Sequence, residues 1–96
     1  MKPHEYAQYL QNKVHAWGKE LALLEDDVER SDEDDKEEYT LLFQELMRNY
    51  ESIESYIDEI TEMSEDDFQE EKAVLDERIA DFEVQMKEAR ETIKDV

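Results

Sequence analysis

The 96-residue chain has no cysteine, one glycine (Gly18), one proline (Pro3), and no apolar run longer than residues 21–24 or 41–43. Each absence excludes something. Without Cys there is no disulfide, no thiolate metal site, no redox motif and no Cys nucleophile. Scarce Gly and Pro remove the usual punctuation of turns and hairpins, and with them any Gly-rich phosphate loop. Charged residues make up 43% of the chain, so helix formers dominate and an all-α fold follows. No segment has signal-peptide or membrane length, which places the chain in the cytoplasm by expectation.

Histidine is scarce too. His4 and His15 are the only two, and neither follows a Glu by three positions, which removes the Glu-x-x-His motif of di-iron bundles. A His-Glu-x-x-His zinc site is also missing. The two imidazoles share a similar helix face but stand about three turns apart, too far to bind one ion. An EF-hand loop starting at Asp32 would need Gly and Glu where Glu37 and Phe43 stand. Carboxylate pairs occur everywhere among 30 acidic residues, so finding them carries no information. No catalytic, cofactor-binding or metal-ligating residue is assigned, and an enzyme is not expected.

What is abundant is negative charge. The formal net charge of −19 disfavours direct binding of nucleic acid or an anionic membrane and favours basic partners or cations. Solubility is one sufficient reason for such a surface, and adaptation to a salty proteome is another. A sharper reading comes from one window. Between Asn49 and Glu71 there is no Lys or Arg, while Glu51, Glu54, Asp58, Glu59, Glu62, Glu65, Asp66, Asp67, Glu70 and Glu71 supply ten carboxylates. On a rigid rod such a surface could imitate a row of phosphates and occupy a basic groove. The expected function is therefore a small acidic structural or protein-interaction bundle, with a nucleic-acid mimic or inhibitor that captures a basic protein as the alternative.

Periodicity supplies the architecture. Ala7, Leu10, Val14, Trp17, Leu21, Leu24 and Val28 alternate spacings of three and four, a seam of period 3.5. Gly18 sits beside that seam, where the close approach of a neighbouring helix and plain tolerance of a weak point are both adequate reasons for it. In the second third Tyr39, Leu46, Ile53 and Ile60 recur every seven residues; Leu42, Tyr56 and Met63 repeat three places on, with Phe43, Tyr50 and Ile57 beside them. A stripe that wide suits a central helix touching two neighbours. The last third carries Phe68, Leu75, Phe82, Ala89 and Val96 with Ile79, Met86 and Ile93, and Lys72 stands where an apolar residue is expected, its stem free to cover the bundle end.

Ser31 with Asp34, and Ser64 with Asp67, repeat a capping-box-like signal ahead of each new stripe. The stripes differ in phase, so this is no repeat array. The expectation is a single domain over residues 1–96, an antiparallel up-down-up three-helix bundle with helices at about 3–29, 32–62 and 65–94. That topology brings the acidic turn at residues 25–38 towards Lys87, Arg90 and Lys94, and the second acidic turn towards Lys2, His4 and Lys13. Aromatic residues on the stripes read as core packing. Tyr6 and Tyr9, one step off the first seam, are expected to stay exposed with Leu23, Leu41 and Val74. A stripe this wide is compatible with a monomer and with a homo-oligomer.

The opening Tyr6-Ala7-Gln8-Tyr9-Leu10, then Val14-His15-Ala16-Trp17 and Leu21-Ala22-Leu23-Leu24-Glu25, resembles the start of small bacterial coiled-coil proteins labelled as stress-response proteins. Tyr39 and Ser64 fall where that family begins its second and third helices, while Phe68 stands where it usually has Trp and Lys is scarcer here. The resemblance implies a helical bundle, no enzyme and no established ligand.

Overall fold

A computed structural model describes residues 1–93, so the expectations for Lys94 and Val96 lie outside the described residues. Three helices follow one another, α1 (Pro3–Arg30), α2 (Glu33–Glu62) and α3 (Glu65–Thr92), and no strand occurs among the described residues. They form a three-helix bundle about 50 × 19 × 16 Å, a rod one helix long.

Pro3 opens α1 at the position where its missing N–H has no partner to lose. The Glu5 carboxylate accepts from the Lys2 backbone N–H at 3.1 Å, which satisfies one of the free donors of that first turn. The two turns explain how the chain manages without glycine. Helices α1 and α2 each close on a backbone bond to the residue three back, Ser31 N–H to the Val28 carbonyl and Met63 N–H to the Ile60 carbonyl. The chain then takes two consecutive extended residues, Ser31-Asp32 and Met63-Ser64, with no residue at positive φ. A turn built from β-region residues needs no left-handed cap.

The two Ser signals part company here. Ser64 caps α3, its Oγ accepting from Asp67 N–H at 3.2 Å. Ser31 does not start α2; its hydroxyl donates back to the Val28 carbonyl at 2.5 Å, and Asp32 takes the N-cap place without a side-chain bond. Either residue can occupy an N-cap, and the orphan carbonyl at the end of α1 claims the Ser31 hydroxyl instead.

One core runs the length of the rod. Every seam residue named for α1 is buried, as are Phe68, Leu75, Ile79, Phe82, Met86, Ala89 and Ile93 of the third stripe. Trp17 packs on Phe82 with ring centroids 4.7 Å apart, and Tyr6 meets Phe68 edge-on at 5.2 Å. Helix α2 touches both neighbours, yet only Leu46, Ile53 and Ile60 are buried on it. Tyr39, Leu42, Phe43, Met47, Tyr50, Tyr56, Ile57 and Met63 are half-covered flanks of its stripe. Because α1 and α3 also meet each other, the section is triangular and each helix keeps a rim on either side of its buried line.

The expectation for Tyr6 is overturned. It is among the most deeply buried side chains, 1% exposed, whereas Tyr9, Leu23, Leu41 and Val74 do lie exposed. A position one step off a seam faces water in a two-helix coil, but in a three-helix bundle it faces the second neighbour. Met1 and Val84 are also exposed.

Candidate interaction surface

Polar contacts set the helices in register. Along α1, Tyr6, Lys13 and Glu20 stand a heptad apart and meet Asp76, Glu83 and Arg90 of α3, each pair 70 residues apart in sequence. A constant separation means that α1 and α3 run parallel, so α2 runs against both. These two helices approach least closely, and long side chains span the gap. The Tyr6 hydroxyl donates to Asp76 Oδ1 at 2.7 Å, Lys13 Nζ reaches Glu83 at 3.0 Å, and Arg90 Nη1 reaches Glu20 at 3.2 Å. Lys72, whose stem is expected at the bundle end with its ammonium in water, instead sets its Nζ 5.8 Å from the Tyr6 ring centroid and donates to Asp76 Oδ2 at 2.9 Å. The Tyr6 hydroxyl bond, then the Lys72 bond, hold the Asp76 carboxyl below its ordinary range. Burial, then the same Asp76 bond, push the Tyr6 phenol up.

Between α2 and α3 there are two rungs. Asn49 Nδ2 donates to Gln85 Oε1 at 2.7 Å, and Arg78 donates to the Tyr56 hydroxyl with its guanidinium 5.2 Å from that ring's centroid. They bracket a shallow cleft of about 230 Å³ floored by Ile53 and Phe82. On the third seam Gly18 does face a neighbour: a Cβ there would lie 3.0 Å from Tyr50 Oη.

The ten carboxylates of the base-free window are all exposed. Glu51, Glu54, Asp58, Glu59 and Glu62 occupy the C-terminal turns of α2; Glu65, Asp66, Asp67, Glu70 and Glu71 open α3 across the Met63-Ser64 turn. They do not form one row. Glu54 leans towards α1, where its charge acts on the Tyr50 phenol, which burial first and Glu54 second push up. Glu59 stands a heptad beyond Ser52, a wall of the α2/α3 cleft, and Glu51 and Asp58 a heptad apart face outwards. The tract therefore wraps one end of the rod.

Among the described residues no ion pair neutralises it. Of the bases expected to face the acidic turns, Lys13 takes Glu83 and Arg90 takes Glu20 along the α1/α3 seam, and Lys94 lies outside the described residues. Lys72 and Arg78, the first bases after the tract, are held by Asp76 and Tyr56. Helix polarity divides the tract. Glu65, Asp66 and Asp67 sit at the positive end of α3, a favourable place, but Glu59 and Glu62 sit at the negative end of α2, which has no base in its last turn. His4 and His15 are exposed, and among the described residues no three His, Asp or Glu side chains converge to hold a metal ion. No helix among them is long and apolar enough to cross a membrane.

Sequence reasoning found the exposed tract because it needed only the missing bases. It missed the Tyr6–Asp76–Lys72 and Tyr56–Arg78 groups; the available signal was the heptad recurrence of polar residues beside each seam. Compared with known proteins, the chain matches no protein-family model, no curated protein and no solved structure.

Proposed function

We propose that the protein is a non-catalytic interaction module, a helical rod that holds a partner protein through its surface, and that the partner's contacting surface is basic. The observation that carries this reading is the end of α2. Glu59 and Glu62 oppose the helix dipole and have no ion-pair partner among the described residues, so they work against the stability of their own helix. A role outside the fold supplies the reason to keep them, since binding surfaces are where local rules of stability are broken. The reading includes no cofactor and no reaction, and its place of action is the cytoplasm. Nothing in it requires a particular oligomeric state.

Nucleic-acid mimicry is the narrower form of the same reading, in which the partner's groove is one that otherwise holds DNA or RNA. Affinity capture with the intact protein at low salt tests both. A basic protein should be retained and should elute steeply as salt rises, because counterion release governs such contacts. Displacement by DNA supports mimicry; retention that ignores DNA leaves the wider reading in place. Retention unaffected when Glu51, Glu54, Asp58, Glu59 and Glu62 are changed together to Gln would sink both.

A further inference from the structure

The groove between α1 and α2 is the face of the rod suited to a helical partner. Phe43, Tyr50 and Ile57 recur every seven residues along α2 and are half-buried, with Met47 between the first two. Their span is about 21 Å, four turns of helix. Across from them α1 offers little bulk: Gly18 leaves room above its own backbone for Tyr50, and exposed Ala22 follows one turn on. Gly18, Ala22, Glu25, Phe43, Met47 and Tyr50 surround an open cavity of about 260 Å³, room for a large apolar side chain. Methionine in such a wall adapts to the shape of what enters.

The margins of this groove are acidic. Glu25 lines it, and Glu29 lies a heptad beyond Ala22 on the same face of α1. On the α2 side Glu54 lies a heptad beyond Met47. None of the three has an ion-pair partner among the described residues. Lys36 reaches the same margin, its Nζ donating to the Glu29 carbonyl at 3.4 Å, so the groove is apolar along its floor with carboxylates outnumbering bases at its edges.

We infer that this groove binds an amphipathic basic helix of a partner protein, which lays its apolar side chains between α1 and α2 and sets Lys and Arg against the carboxylates at the margins. Apolar anchors at positions i, i+3, i+4 and i+7 with flanking bases are what a helix-in-groove contact of this charge asks for. This inference rests on the reading of the protein as a binder of basic partners, and adds the partner's secondary structure and the seam it uses.

The test uses the intact protein and two labelled peptides of about 18 residues, long enough for the groove. One is a Leu/Lys peptide with Leu on a single helical face; the other is a permutation with Leu spread around the helix. At about 0.15 M salt, where distant charges are screened, the amphipathic peptide should bind at least about tenfold more tightly than its permutation. Ala22→Arg, which projects a cation across the groove, should weaken that peptide by about tenfold. Ala80→Arg, an equal charge change at an exposed position on α3, should change it less than about twofold. Far-ultraviolet circular dichroism checks that both variants keep the native helix content. Equal binding of the two peptides, or equal effects of the two substitutions, would overturn the groove while leaving a basic partner in place. Failure of both peptides to bind even at low salt would overturn the groove and the proposed function together.

Discussion

Breaking the contact between Tyr6 and Asp76 should cost more from one side than from the other. The Tyr6 hydroxyl belongs to a side chain 1% exposed, and Asp76 Oδ1 at 2.7 Å is its acceptor. The Asp76 side chain is 47% exposed and also holds Lys72. Changing Tyr6→Phe removes a hydrogen bond but leaves a carboxylate that water can solvate, a loss of about 1 kcal/mol. Changing Asp76→Ala leaves a buried hydroxyl without its acceptor, about 1 to 3 kcal/mol, and removes an exposed Lys72 pair that contributes at most about 1 kcal/mol. In the Tyr6→Phe background Asp76→Ala should therefore cost only the Lys72 pair. The double-mutant cycle should yield a coupling of about 1 to 3 kcal/mol.

Urea unfolding of the four proteins, followed by helix signal and by Trp17 emission, measures it. The pH dependence adds a second reading. Asp76 is held below the ordinary 3.8, so its contribution is complete above the unfolded value and is lost as pH falls through the folded one. The gap between wild type and Asp76→Ala should thus be constant near neutrality and narrow below about pH 4. Tyr6, pushed the other way, favours the fold until pH rises past about 10, where the unfolded phenol begins to ionise. A coupling below about 0.3 kcal/mol would refute the reasoning, since it would mean that the hydroxyl finds another acceptor at no cost.

Three further outcomes follow from single contacts. Gly18→Ala should stabilise the Tyr50→Phe variant by about 1 kcal/mol through helix propensity. It should stabilise the wild type by less, because the new Cβ meets Tyr50 Oη at 3.0 Å but the ring carbon behind it only at 3.9 Å; equal gains in thermal melts would dismiss the contact. Ser64→Ala should cost about 1 kcal/mol by loss of its cap on α3, and Ser31→Ala less than half of that, although the two serines sit in matching sequence patterns. Glu62→Lys should raise Tm by about 2–4 °C at low salt, with the gain shrinking as salt is added, and should weaken partner capture. A variant that gained stability without losing capture would detach the acidic tract from function.

The seams were legible in the residues alone because burial follows a period that few side chains interrupt. Leu10, Trp17 and Phe82 could be placed by counting. Tyr6 could not, since its burial depends on a third helix 70 residues away approaching from the side. Ser31 was unreadable for a different reason. The tetrads at 31–34 and 64–67 offer the same local chemistry, and the choice between capping forwards and capping backwards is made by one residue's shift in where α2 begins. The carboxylate tract needed no geometry to be seen, but its wrapping around the rod end did, because α2 and α3 run in opposite directions through one turn. The groove at Gly18 was half visible: the glycine was noticed, and its partner Tyr50 was not.

Where the bases stand links the fold to its exposed end. Helices α1 and α3 run parallel and approach least closely, so their register depends on side chains long enough to span the gap. The rungs at Tyr6–Asp76, Lys13–Glu83 and Glu20–Arg90 specify one alignment. Sliding α3 by one heptad in one direction sets Lys13 against Arg90; sliding it in the other sets Glu20 against Glu83. Each slip preserves the apolar seam and breaks the Tyr6–Asp76 bond. The first also opposes two cations, while the second opposes Glu20 to Glu83 but brings Lys13 to Asp76. Polar contacts beside the seam thus select the register that the apolar pattern leaves open. Lys13 and Arg90 are committed to that seam, Lys72 to the Tyr6–Asp76 contact beside it, and Arg78 to Tyr56 on the next. Four of the chain's eleven Lys and Arg are held in these contacts, and none of the four reaches the turn between α2 and α3. The same allocation that holds the helices together thus leaves the carboxylates around that turn without an ion pair among the described residues.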